Sequence, residues 1–382
     1  MSIIVNYLAF LNNYEFMLKV KSKYPIGLDI SKDHISAAQF KKSREGLAIR
    51  GLWHKSLNGA SKDSDEPNDI LVPLLKQIAE HKEFKGKKVV AHIPSQEIFS
   101  FPISFNVNAG ENLEAVMVHE SEKYLPFAIA EAVIDYPSIS SPSSEGYTAT
   151  IVASRREQIE HYLAVLKQSG LSAEVLDFEV SALLRLHYYL FNAAKNPIIL
   201  CNVGHSESLI TIVAKDEILA HRHIDWGTQA LVENLQDNFE HLGDEKKARM
   251  FLKKYGLLYE TKRNSEKNSQ SSDNPEMDNI LKVIYQISTP HIEKLIHECH
   301  QIMAYVRSEI SNPVFKGIYI YGLATVIENL DQYFEMRLGI PTKLVNPLLS
   351  SNFYDNKILP DSTEGASFAL ALGMALRPIT WL

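Results

Sequence analysis

A carboxylate at the end of a buried strand, followed at once by a tight polar turn, can hold a divalent ion through its water shell while the turn's backbone N–H groups approach a phosphate. Asp29, with Ser31 and Lys32 after it, meets that requirement in Ile26-Gly27-Leu28-Asp29-Ile30-Ser31-Lys32-Asp33-His34. Asp also caps turns that hold no ligand, so the segment alone supports either reading. A second turn, Asn202-Val203-Gly204-His205-Ser206, has a glycine that permits close backbone approach and a hydroxyl, on Ser206, that can donate to a phosphate oxygen. It lacks the carboxylate. Asn202 can accept a hydrogen bond from metal-bound water, but it brings no negative charge to position a metal or activate water. The pair of turns therefore predicts a site in which binding outlasts hydrolysis. Gly322, in Tyr321-Gly322-Leu323-Ala324, would let a base or ribose slide past the backbone, and serves an ordinary strand-to-helix connection equally well.

Other chemistries find little support. His291, His297, Cys299 and His300 cluster in sequence, and His297 and His300 share a helix face, but no closing ligands follow at metal spacing and the segment reads as a solvated helix. Nucleophile-elbow, Walker-type, paired-histidine zinc and dinucleotide motifs are absent. With 39 Lys and Arg against 46 Asp and Glu, a net −7, and no basic block interleaved with aromatics, nucleic acid is not the expected partner. Cys201 and Cys299 match no metal or redox spacing and read as reduced core thiols, which points to the cytoplasm. No run approaches the roughly 20 apolar residues of a membrane span. At the N-terminus, Ile3, Ile4, Leu8, Leu11 and Leu18 fall near helical spacing but are interrupted by Asn6, Asn12, Asn13 and Glu15, which predicts a short packed helix; Met17 is an alternative start.

The elements that would position these residues come in two similar series. Strand 26–30, a turn, strand 35–40, a strand over 47–57, a helix with apolar Ile70, Leu71, Leu74, Leu75 and Ile78, and strand 89–93 form the first. Strand 197–204, strand 209–214, a strand over 217–224, helix from about 228 to 239, further helix, strand 317–321 and a helix from near Thr325 form the second. Such a duplication predicts two similar lobes facing a cleft. Between the copies, 99–177 reads as an inserted α+β subdomain: helix 111–125 stopped by Pro126, strand 133–136, a turn at 140–146, strand 148–153, helix 157–168 and strand 173–176. The expected division is an N-terminal segment 1–24, lobe 1 over 25–98 and 178–196, lobe 2 over 197–345 with a disordered loop at about 260–279, and a return to lobe 1 over 346–382.

Ile26-Gly27-Leu28-Asp29-Ile30-Ser31, Val203-Gly204-His205-Ser206 and Tyr321-Gly322 together resemble the two phosphate motifs and the adenosine motif of the actin and sugar-kinase superfamily. Within it the chain is similar to the PilM family of type IV pilus assembly proteins. The most specific stretches are Glu120 through Leu125-Pro126-Phe127 with Asp135-Tyr136, then 153–177 with its Ser169-Gly170-Leu171 turn, Gly339-Ile340-Pro341, Asn346-Pro347 and the tail from Ala366 to Leu376. The resemblance implies an α/β fold of the actin-like, ribonuclease-H-like kind, duplicated and two-lobed, with the extra subdomain placed as in the cell-division protein FtsA. It implies ATP and magnesium as ligands of Asp29, Ser31, Lys32, Asn202, Gly204, His205, Ser206 and Gly322. It also implies docking of the cytoplasmic N-terminal peptide of a PilN-type inner-membrane protein, among other pilus platform proteins, so that the chain is cytoplasmic and peripheral to the inner membrane. Tyr124, Leu125, Pro126 and Phe127 are the residues expected to meet that peptide, unless they are simply core. Departures from the superfamily pattern at Asn202, Leu323, Arg249 and Leu252 predict a scaffold with a weak ATPase activity at most. An active ATPase and an FtsA-like polymerising tether are the alternatives; the tether expects a basic amphipathic C-terminal helix, and the Arg377–Leu382 end is short and broken by Pro378.

Overall fold

The computed structural model describes residues 24–44, 46–57, 67–139, 146–215, 217–239, 242–257, 275–350, 353 and 365–377. The expected N-terminal helix, the 140–145 part of the turn, the 260–274 part of the loop and residues 378–382 lie outside them. In chain order the elements are β1 (Ile26–Ile30), β2 (His34–Lys42), β3 (Leu47–Ser56), α1 (Pro67–Glu80), β4 (Lys88–His92), β5 (Phe99–Phe105), α2 (Leu113–Ser121), β6 (Ala132–Ile139), β7 (Tyr147–Arg155), α3 (Arg156–Gln168), β8 (Ser172–Asp177) and α4 (Glu179–Phe191). Then come β9 (Ile198–Val203), β10 (Ser208–Ala214), β11 (Glu217–Ile224), α5 (Gln229–Asn238), α6 (Glu245–Tyr255), α7 (Pro275–Glu309), β12 (Ile318–Gly322), α8 (Leu330–Leu338), β13 (Thr342–Leu344) and α9 (Ala369–Ala375). The described residues fall into two compact units, one within Met1–Tyr189, Asn352–Ile358 and Leu370–Leu382, the other within Leu190–Ser351 and Leu359–Ala369.

Each unit is built on a five-stranded sheet, and the strand orders correspond one to one: β3-β2-β1-β4-β8 in the first, β11-β10-β9-β12-β13 in the second. In both, the leading strand pairs antiparallel with the next and parallel with the fourth. The duplication expected from the two turns, and the α/β fold that the resemblance implies, are both found. The central strands read as unbroken apolar runs because both faces of a mixed sheet are covered; every residue of β1 and all but Asn202 of β9 is buried. Around the first sheet pack Leu75 and Ile78 of α1, with Ile159, Val165 and Leu166 of α3. The second sheet carries Leu231 of α5, Leu252 of α6 and Ile292 and Leu295 of α7.

Between β4 and β8 lies a three-stranded sheet, β5-β7-β6, with a small core of Ile103, Phe105, Met117, Ala149 and Ile151. The segment expected as one subdomain divides here, because α3 packs on the main sheet and β8 pairs with β4. Three other elements differ from expectation. The helix expected over 111–125 runs only from Leu113 to Ser121, where the Ser121 hydroxyl donates to the Met117 carbonyl at 2.6 Å and the chain tightens into a 3-10 turn, Glu122–Tyr124, ahead of Pro126. The helix expected near Thr325 is a 3-10 turn, Leu323–Val326, and α8 begins at Leu330. Pro275–Asn279, expected in the loop, form the start of α7, where Pro at the first helical position costs no hydrogen bond.

Gly27 is required by packing. A Cβ there would collide with the Ala371 carbonyl oxygen and the Ala375 nitrogen of α9, which crosses β1 backbone to backbone. Gly373 of α9 meets the Ala182 carbonyl of α4 in the same way, and Arg185 of α4 donates to the Gly373 carbonyl at 2.7 Å. Gly27→Ala is expected to cost at least about 3 kcal/mol of stability, because two backbones rather than a flexible side chain must give way, and denaturant unfolding measures it.

Candidate functional site

In the first unit, Ile30 and Ile35 are the last pair of the β1–β2 hairpin, and the Ser31 N–H donates to the His34 carbonyl at 2.9 Å. This leaves Lys32 exposed at the tip and Asp33 buried. Asp29 sits one residue inside the hairpin and is 1% exposed. Its Oδ1 accepts from the Ser31 hydroxyl at 2.9 Å and from His92 Nε2 at 2.9 Å; its Oδ2 faces His34 Nε2 at 3.2 Å. His92 arrives because β4 lies parallel to β1 with Leu28 opposite Ala91, so the last residue of β4 faces the Asp29 carboxylate. The other ring nitrogen of His34 lies 2.7 Å from Asp33 Oδ1, and that of His92 lies 3.0 Å from the Ile93 carbonyl. Burial alone would raise Asp29, but the charges and hydrogen bonds of His34 and His92 outweigh it and hold the carboxyl well below its usual range. Burial likewise opposes charge on the histidines, yet the carboxylates lift His34 to about 10 and His92 to about 9. His54, half-buried beside His34 with Ser36 Oγ 3.0 Å from its Nδ1, is lowered to about 4 by desolvation and by the charge of His34.

In the second unit, β9 ends at the corresponding turn. Gly204 N–H donates to the Glu207 carbonyl at 2.9 Å, and the first turn of α5 docks on the loop through Thr228 N–H to the Gly204 carbonyl and Gln229 N–H to the His205 carbonyl at 2.7 Å. Arg249 of α6 lies over this turn: its Nη2 is 2.8 Å from His205 Nδ1, its Nη1 donates to Thr228 Oγ1 at 3.1 Å and its Nε to Glu245 Oε1 at 2.9 Å. A guanidinium only donates, so in this contact His205 accepts at Nδ1, with Glu245 Oε1 3.6 Å from the same nitrogen. Asn202 is half-buried in the strand, opposite Leu209 and Tyr321, and Ser206 is half-buried in the turn. Leu252 is 1% exposed, in the core. Gly322 has φ +79°, and a Cβ would collide with the Val203 carbonyl, so the close approach of β12 to β9 explains it without a nucleoside. A cavity of about 360 Å³ follows it, lined by Lys253, Ile327, Glu328, Asn329, Asp331 and Asn346.

The structure thus gathers Asp29 and Ser31 with two partners, His34 and His92, that sequence reasoning missed. His92 stands 63 positions from Asp29 and carries no motif; only the register of two parallel strands reveals it. Cys201 and Cys299, far apart in sequence, lie in the second core with sulfurs 3.9 Å apart, both as free thiols. Among the described residues, no group of three or more His, Cys, Asp or Glu side chains could hold a metal, the histidines around Cys299 included.

On the inserted subdomain, Tyr124 is 55% exposed and stacks on Phe101 at 5.2 Å. Pro126 is exposed, whereas Leu125 and Phe127 are half-buried; Phe127 meets Phe99 edge-on at 5.3 Å under the Arg155 guanidinium. Val118, on α2, is 40% exposed. Asp135 is buried and pushed up to about 6 by that burial, against the Tyr136 N–H and the Arg377 charge.

A family model described as type IV pilus assembly protein PilM matches residues 27–379. Among solved structures, a chain of the PilM-PilN type IV pilus biogenesis complex is 21% identical, with a TM-score of 0.70 over 92% of this chain and 98% of that one. The ethanolamine utilization protein EutJ from Carboxydothermus hydrogenoformans is 14% identical, with a TM-score of 0.49 over 97% of this chain and 96% of that one. MreB 5 of Spiroplasma citri bound to AMPPNP is 11% identical, also at 0.49, over 93% and 95%. Only the first of these likenesses is close enough to show a shared fold.

The His-Asp-His arrangement sets a pH dependence. The raised histidines contribute stability that is fully present below their unfolded value near 6.5 and is lost as pH rises through about 9 and 10; the depressed Asp29 contributes stability that is lost on acidification below about 4. The first unit is therefore expected to lose thermal stability steadily between about pH 6.5 and 10. His92→Gln should flatten that slope in differential scanning calorimetry.

Proposed function

Because this chain belongs to the type IV pilus assembly protein PilM family, we propose that it is a scaffold of the inner-membrane pilus platform that docks the cytoplasmic N-terminal segment of a PilN-type membrane protein, with a degenerate nucleotide site. The family match over residues 27–379 carries the reading. It is supported by the solved PilM-PilN type IV pilus biogenesis complex, one chain of which shares this fold. Among the described residues no helix is long and apolar enough to cross a membrane, so attachment through a membrane-anchored partner fits the chain's chemistry.

The docking surface we propose is the exposed edge of the inserted subdomain around Val118, Tyr124 and Pro126, whose exposed apolar groups gain most from being covered. Leu125 and Phe127 support it from below. Glu114, Glu122 and Glu131 are exposed in the same stretch, Glu131 paired with Arg155 and the neighbouring Lys123 with Glu120, and the cytoplasmic flank of a membrane protein is enriched in Lys and Arg.

The degenerate nucleotide site is supported by what surrounds each expected ligand. Asp29 already accepts three hydrogen bonds, and magnesium requires oxygen ligands or waters that can donate to oxygen. Asn202 brings no charge, and Arg249 holds the His205 side chain. The residues present do not fit a magnesium-nucleotide site that activates water. Asn202→Asp would restore a carboxylate to the second turn and leave Asp29 as enclosed as before.

Calorimetric titration of the full chain with a synthetic peptide of the PilN-type N-terminus is expected to show binding, and Tyr124→Ala with Val118→Ser to weaken it by about tenfold without lowering the melting temperature. Unchanged affinity in that variant would move the docking surface elsewhere. Phosphate release from ATP is expected to stay at background in the wild type and in Asn202→Asp; turnover in either would overturn the degenerate-site reading.

A further inference from the structure

We infer that the Asp29 turn takes no divalent cation, because Ser31, His34 and His92 already occupy both oxygens of its buried carboxylate. This deepens the degenerate-site reading and rests on it.

The proton count follows from geometry. Both nitrogens of His34 face carboxylate oxygens, Asp33 Oδ1 at 2.7 Å and Asp29 Oδ2 at 3.2 Å. Both nitrogens of His92 face acceptors as well, Asp29 Oδ1 at 2.9 Å and the Ile93 carbonyl at 3.0 Å. A carboxylate or carbonyl offers no proton, so each ring must donate from both nitrogens, which only an imidazolium can do. The two rings thus face the carboxylates of Asp29 and Asp33 at hydrogen-bond distance.

Among the described residues of the first unit, β1, β2, β3, β4, α3 and α4 bring groups toward the carboxylate. β1 and the hairpin bring Ser31, and β2 brings His34. β4 brings His92, β3 brings the neutral ring of His54 against His34, and α4 adds the buried Glu179, whose charge further favours His92 as a cation. α3 contributes Tyr162, raised out of the physiological range by burial and by Asp29, and therefore uncharged. A divalent ion bound to Asp29, directly or through water, would have to displace N–H donors that lie within hydrogen-bond reach, beside a carboxylate that is 1% exposed. The charge neutralisation that relatives of this architecture could draw from an ion is here supplied by the chain itself. It follows that any affinity this chain has for a nucleotide or polyphosphate is independent of divalent cation.

Manganese, the paramagnetic stand-in for magnesium, provides the test on the full-length chain with ¹⁵N-labelled histidine. Titrated with Mn²⁺, with and without ATP, the ring signals of His34 and His92 are expected to broaden no more than that of the buried His187. The dissociation constant for ATP is expected to differ by less than about twofold between excess magnesium and EDTA, and undetectable binding in both supports the inference equally. Selective broadening at His34 and His92, or ATP affinity at least about tenfold higher with magnesium, would overturn it. In His92→Asn, which removes one cation from the carboxylate, selective broadening at His34 should appear; if that variant does not fold, the wild-type measurement still decides. Manganese bound at the turn without phosphate release would sink this inference alone, whereas turnover would sink the degenerate-site reading beneath it; the peptide titration is insensitive to both.

Discussion

A carboxylate that is 1% exposed can keep its charge only if its surroundings replace the water it has lost, and in the first unit everything near Asp29 is arranged to do so. The compensation comes from three chain segments at once. Ser31 fixes the turn, His34 fixes the first residue of β2, and His92 fixes the end of β4, so one buried group ties together the antiparallel hairpin and the parallel pair on which the five-stranded sheet is centred. A slip of one residue in the β1–β4 register would point His92 to the other face and leave the carboxylate short of a partner. The network therefore selects the register as much as it stabilises the fold.

The second unit uses the same strand order without a charge at that place. Asn202 is neutral, the cysteine before it packs against Cys299, and the basic group nearest the turn, Arg249, acts on the histidine of the turn and on Glu245 rather than on the strand. Its core is held by aliphatic contacts among β9, β12, α5, α6 and α7. Two copies of one architecture have thus met the same problem, the polar end of a central strand, by different means. The first neutralises an ion; the second avoids one. The degenerate-site proposal draws on both, on the neutral side chain of Asn202 and on the occupied carboxylate of Asp29.

Much of this was legible in the sequence. Apolar runs ended by polar turns marked β1, β4, β9 and β12, and the likeness of the two turns disclosed the duplication that the strand orders display. Local signals failed where a distant segment decides. Gly27 reads as a phosphate-motif glycine, but the collision that forbids a side chain is with α9, more than 300 positions along the chain. Helix α2 stops before its apolar pattern does, because a serine hydroxyl and a nearby proline compete with the helix. His92 had no signal at all, since periodicity records which face a residue takes and not which residue stands opposite. The site was therefore readable as a set of candidate ligands and unreadable as a charge balance.

The same distinction separates the two halves of the Glu120–Tyr136 signature. Asp135 is buried, feels Arg377 and Asp177, and lies at the base of the inserted sheet; Asp177 is itself held by Arg185 and Arg377. Phe127 is wedged between Phe99 and Arg155. These residues hold the subdomain to its unit, and changing them would act on any partner only through the fold. Tyr124 spends one face on Phe101 and leaves more than half of its surface to solvent, a poor bargain for a side chain whose sole role is packing. A rigid aromatic ring fixed from behind and open in front carries little conformational entropy into an interface, so within the signature Tyr124 is the residue best placed to contribute binding free energy of its own.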